Sequence, residues 1–128
     1  MKILVDPDSV PMSLEECIDN IREFLDVSDA DEIKSFKKNP FIKEKQGAAL
    51  FLESVWSLTD SENRLVKWFK KNHGLTSAND ISYIILHCLY CDLKEIPRKE
   101  VELAEKIRKD RSKKKPKKIV ESENPEVN

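Results

Sequence analysis

Apolar positions recur at three- and four-residue spacing along most of the chain, the signature of amphipathic helices. Leu14, Cys17, Ile18, Ile21 and Leu25 form the first such stripe. It follows Pro11 and a Ser13/Glu16 pair, in which the serine can accept from a free N–H of the first turn while the glutamate reaches back. Ser28 with Asp31 repeats that logic for a short helix carrying Ile33 and Phe36. This helix must stop near Asn39, because Pro40 biases its predecessor away from helix. From Phe41 to Leu58 the run Ala48-Ala49-Leu50-Phe51-Leu52, then Val55 and Trp56, is apolar all round. That pattern predicts a helix at the centre of the fold.

Asp60-Ser61 is read as the start of a helix with Leu65, Val66, Trp68 and Phe69. Gly74 suits the left-handed position after its end, with Leu75 folding back onto the last turn. Ser77 and Asp80 form a further capping pair for a helix through Ile81, Ile84, Ile85, Cys88 and Leu89 to Leu93. Pro97 suits the first residue of a last helix with a weak stripe of Val101, Leu103, Ala104 and Ile107. The expectation is an all-α fold: a compact bundle of five or six short helices and no sheet. Leu50, Trp56, Phe69, Ile81, Ile85 and Leu89 are its expected core. Residues 1–112 form the helical domain, and 113–128 a disordered tail, Lys-rich and then acidic.

Composition narrows this further. With 128 residues the chain makes one domain. Two glycines leave no room for a Gly-rich phosphate loop or a dinucleotide fingerprint. No run reaches the roughly 18 apolar residues of a membrane span, and the N-terminal apolar stretch is too short for a signal-peptide core. Three cysteines make an odd count for a disulfide framework, so reduced thiols in the cytoplasm are expected.

The net charge of −1 conceals a split. Residues 1–105 hold 14 basic and 20 acidic side chains, a net of −6. Against one acid, Asp110, the next stretch carries nine cations: Lys106, Arg108, Lys109, Arg111, Lys113, Lys114, Lys115, Lys117 and Lys118. Such a block is usually a solvated extension, and it is also the candidate surface for an anionic partner.

His87-Cys88-Leu89-Tyr90-Cys91 is the one cluster with the look of a metal or redox motif. Zinc would need four ligands, with His73 or Cys17 arriving from elsewhere. Cys88 lies on the Ile81–Ile84–Ile85 stripe, which favours packing as a small hydrophobe. A redox cysteine belongs near a helix start, whereas Cys88 is about two turns in. The carboxylates of Glu15, Glu16, Asp29, Asp31, Glu32, Glu100, Glu102 and Glu105 sit at helix starts or on solvent faces, where they offset the helix dipole. His73 reads as a partner of the C-terminal dipole, and Lys67, Lys70 and Lys71 as a solvated edge beside inward Trp68 or Phe69. No catalytic or cofactor site is expected.

Ser13-Leu14-Glu15-Glu16, Trp56-Ser57-Leu58, Leu65 with Phe69, Gly74, and Asn79-Asp80-Ile81-Ser82 running into Ile84-Ile85-Leu86 share one layout. Over Ser13–Ile96 it resembles a family of small uncharacterised bacterial and phage-associated domains, a domain of unknown function. At Ser77-Ala78 the chain departs from the family's His-Pro, which removes any case for a shared histidine site. The resemblance implies an all-helical fold and no assigned activity. The expected function is a non-catalytic protein-interaction module of immunity, inhibitor or phage accessory type, bound to another protein and to no membrane. The alternative is nucleic-acid binding through Lys106–Lys118.

Overall fold

The computed structural model describes residues 4–6, 8–42 and 45–121, with side chains on all of these except 42, 45, 46 and 113–121. Six α-helices and no strands occur among the described residues: α1 (Leu14–Phe24), α2 (Val27–Ser35), α3 (Leu50–Val55), α4 (Arg64–His73), α5 (Ala78–Lys94) and α6 (Glu100–Glu121). A 3-10 turn at Pro40–Ile42 and a π-helical turn at Lys45–Ala49 lead into α3.

The caps decide where these helices begin. Ser13 Oγ accepts from Glu16 N at 3.3 Å, as its spacing predicts, but Glu16 Oε1 reaches one residue further back, to Met12 N at 3.0 Å. Ser28/Asp31 is not the cap of α2. Asp26 is, accepting from Asp29 N at 2.8 Å, so Ser28 falls inside the helix. Helix α4 starts at Arg64 rather than at Asp60-Ser61, because Asn63 does three jobs. Its Oδ1 accepts from Leu65 N at 2.8 Å, while its Nδ2 donates to the Trp56 and Ser57 carbonyls at 2.5 and 3.2 Å. Asp60 serves the turn before it, accepting from Glu62 N at 2.9 Å. Gly74, at φ 68°, ends α4 in the left-handed conformation and Leu75 is buried behind it, as expected.

The centre of the fold is α5, not the Phe41–Leu58 segment. Helix α5 touches each of the other α-helices, and ten of its 17 residues are buried. The Phe41–Leu58 segment breaks into a 3-10 turn, a π turn and the six-residue α3. A π turn uses extra residues per turn and rotates the helix on its C-terminal side. Ala49, Leu52 and Trp56 therefore face inward, and Leu50 is 52% exposed, contrary to its expected place in the core. The other five expected core residues are buried, together with Leu14, Cys17, Ile18 and Ile21 of α1 and Ile33 of α2.

Pro97 lies in the α5–α6 loop, three residues before α6 begins, so it is not that helix's first residue. The apolar stripe of α6 is thin: Ala104 is buried, Leu103 and Ile107 are half-buried, and Val101 is exposed. Of the tail expected to be disordered over 113–128, the backbone to Glu121 continues α6, and the side chains from 113 and all of 122–128 lie outside the described residues. No helix among the described residues is long and apolar enough to cross a membrane.

Candidate functional site

The His87/Cys88/Cys91 cluster is packed into the bundle. Cys88 is fully buried, and desolvation pushes its thiol up to about 12, with the positive field of Arg98 pulling the other way. Burial also raises Cys91 and, on α1, Cys17. His87 Nε2 donates to the Arg98 carbonyl at 2.9 Å and lies 3.5 Å from Cys91 Sγ. With that nitrogen carrying the proton, it has no lone pair to offer a metal. Among the described residues no three His, Cys, Asp or Glu side chains gather as a metal site.

His73 sits in the last turn of α4, where a dipole partner is expected. Its ring stands edge-on to Trp68 at 5.5 Å, and burial lowers its pKa, Glu100 opposing and Arg108 adding to the effect. Of the aromatic pair on α4, Phe69 is buried and Trp68 half-buried, with Lys67, Lys70 and Lys71 exposed. Lys67 pairs with Glu62 at 3.2 Å.

The basic segment divides. Arg108 Nη1 donates to the His73 carbonyl at the end of α4, and its side chain lies across Gly74, where an added Cβ would sit 2.9 Å from Arg108 Cδ. Arg111 clasps Asp80 with Nε–Oδ2 at 2.6 Å and Nη2–Oδ1 at 2.8 Å. Asp80 is thus no capping partner of Ser77, which caps α5 without a side-chain hydrogen bond. Lys109 pairs with Glu105 at 3.8 Å, one turn back. Lys113, Lys114, Lys115, Lys117 and Lys118 lie on the backbone of α6, with side chains outside the described residues.

Lys106 points elsewhere, into a groove of about 690 Å³ between α5, the α5–α6 loop and the first turns of α6. Its less exposed lining residues, Tyr83, His87, Tyr90 and Leu103, form the floor, and the exposed Ile96, Pro97, Lys38, Lys99 and Lys106 the rim, with Glu102 the one acid among the lining residues. Hydrogen bonds fix the walls. Tyr90 Oη and Lys94 Nζ both donate to the Phe36 carbonyl, at 2.6 and 2.9 Å, which ties the exit of α2 to α5. Arg98 holds the loop: it bonds Asp92 at 2.8 and 2.5 Å, reaches Glu15 of α1, and has Glu100 at 3.8 Å. These partners raise its pKa, the Asp92 and Glu15 hydrogen bonds foremost.

Glu95 and Lys99, at φ 58° and 52°, give the loop two left-handed non-glycine residues, a conformation that costs about 1–2 kcal/mol each and persists only where the surroundings enforce it. Among the lining residues, the amide nitrogen of Asn39 is buried with no acceptor among the described residues. The groove was invisible in the sequence, because its rim comes from positions 38, 99 and 106, which no motif connects.

Residues 10–93 match the family DUF6794, a domain of unknown function. The match runs from the approach to α1 almost to the end of α5, and α6 lies beyond it. Comparison with curated proteins and with solved structures gives no match.

Proposed function

The chain belongs to the DUF6794 family, and we propose that it serves as a non-catalytic protein-interaction module of bacterial or phage immunity, inhibitor or accessory type. It works in the cytoplasm and engages another protein through its helical body rather than its basic tail. The observation that carries this reading is the inward commitment of Arg108 and Arg111. Both spend their guanidinium groups on the body, on the His73 carbonyl and the Asp80 carboxylate. These two cations of the basic segment are engaged with the body, which supports this reading over a phosphate-binding arm. Burial that keeps all three thiols protonated supports the non-catalytic part, since a nucleophilic cysteine needs a lowered pKa.

The competing reading, nucleic-acid binding, retains the five lysines at 113–118 and predicts affinity that falls steeply with salt and ignores sequence. Capture from the native cytosol with the full chain and with a chain truncated after Ser112 separates the two, at low and at physiological salt. The truncated protein is expected to retain the same specific protein at both. If it keeps its fold and retains nothing, while the full chain retrieves nucleic acid, the tail reading replaces this one.

A further inference from the structure

We infer that the groove between α5 and the start of α6 receives an acidic peptide segment carrying one bulky apolar side chain. The inference rests on the reading above and names the chemistry of the partner. Tyr83, His87 and Leu103 give a floor suited to an aromatic or aliphatic side chain, in a volume of about 690 Å³, the size that holds one or two such groups. Lys38, Lys99 and Lys106 stand around it, and among the described residues no carboxylate lies within 4.0 Å of their ammonium groups. Arg98, also at the groove, is already met by Asp92 and Glu15.

Local charge here opposes the rest of the body. Residues 1–105 are net −6, so an acidic segment is repelled over most of the surface and attracted where these three lysines converge. That contrast fixes where the segment lands, while the floor supplies affinity. A duplex would present a continuous line of phosphates to a discontinuous rim that also contains Glu102, and its paired bases stay stacked away from the floor. The pinned loop and the Tyr90 and Lys94 ties hold the walls in place before binding, which lowers the ordering cost.

The test is fluorescence anisotropy of a labelled nonapeptide, four Asp or Glu residues flanking a central Trp with both ends blocked, titrated with the full chain. The peptide is expected to bind. The Lys99→Glu/Lys106→Glu double variant should weaken it about tenfold or more, equivalent to about 1.4 kcal/mol. Tyr83→Ala, or Trp→Ala in the peptide, should each weaken it about fivefold by emptying the floor. Truncation after Ser112 should leave affinity within about twofold if the groove, and not the lysine tail, holds the acid.

Both lysines are exposed, so the double variant should fold, and far-UV circular dichroism checks it. Unchanged affinity in the double variant overturns the inference, as does affinity that vanishes on truncation, or a duplex oligonucleotide that outcompetes the peptide at the same lysines. The two readings fail separately. A partner captured equally by wild type and double variant sinks the groove and leaves the interaction module standing. Peptide binding in the groove with no protein captured by the body sinks the module alone.

Discussion

Arg111 closes its guanidinium on the Asp80 carboxylate with two parallel hydrogen bonds, at 2.6 and 2.8 Å, across 31 residues of chain. Asp80 is only 8% exposed, in the first turn of α5, whereas the Arg111 side chain is 56% exposed on α6. The arginine therefore contributes mainly by satisfying a buried acid. Helix α6 has a thin apolar stripe, and this pair with Arg108–His73 ties it to the body, while Arg98–Asp92 fixes the loop that leads into it.

Arg111→Met should leave Asp80 buried without its partner and cost about 1–2 kcal/mol. Adding Asp80→Asn to that variant should recover part of the loss, because the charge needing a partner is gone. Urea unfolding of the two single variants and the double variant measures the coupling. Additive effects would show that the pair contributes nothing of its own.

The stripes of α1, α4 and α5, and the stop at Gly74, were legible because each depends on residues three to six apart. The illegible features depend on distance. Asp80 has the position of a capping residue, and only the arrival of Arg111 makes it an ion-pair partner. The starts of α2 and α4 differ from the sequence reading for a local reason: Asx and Ser residues are frequent, and several near each start could serve as the cap. Asn63 wins over Asp60 because it also satisfies the Trp56 carbonyl. A run of nine cations likewise carries no sign of which ones turn inward.

The register of α3 gives a sharp contrast between neighbours. Leu52 is fully buried and Leu50 is 52% exposed, two residues apart in one short helix. Leu52→Ala should cost about 2–5 kcal/mol through lost burial and a cavity. Leu50→Ala should stay within about 0.5 kcal/mol, as surface substitutions do. Equal losses by thermal melting would mean that the π turn at Lys45–Ala49 does not set the register in solution.

Cys88 predicts an alkaline limit to stability. Its thiol ionises at about 12 in the folded protein, against 9.0 for the ordinary value that the unfolded chain approaches. Between those values the unfolded state has lost the proton and the native state keeps it, so stability falls as pH rises. The stabilising contribution is complete below about 9 and gone above about 12, at roughly 1.4 kcal/mol per pH unit in between. Cys88→Ala should unfold more easily at neutral pH, and its stability should decline less between pH 9 and 10.5. Chemical denaturation of both proteins across that interval checks it, and parallel curves would show that Cys88 is not buried as a neutral thiol.

Truncation separates the structural part of the basic segment from the rest. From sequence alone, a cut after Asp110 removes only solvated tail and leaves the melting temperature nearly unchanged. The Asp80–Arg111 pair reverses that expectation. The cut after Asp110 should lower stability about as much as Arg111→Met, about 1–2 kcal/mol. A cut after Ser112 keeps the pair and removes lysines at 113–118 that repel one another, so it should cost about 0.5 kcal/mol or less. Because the Arg111 side chain is more than half exposed, the difference between the cuts should shrink in molar salt. Melting curves of the two truncated proteins at low and high salt provide the comparison. If both match the full chain, Arg111 does not anchor α6, and the body ends before it. If only the shorter one falls, residues to Ser112 are the smallest intact body, and partner capture has to be tested on that protein.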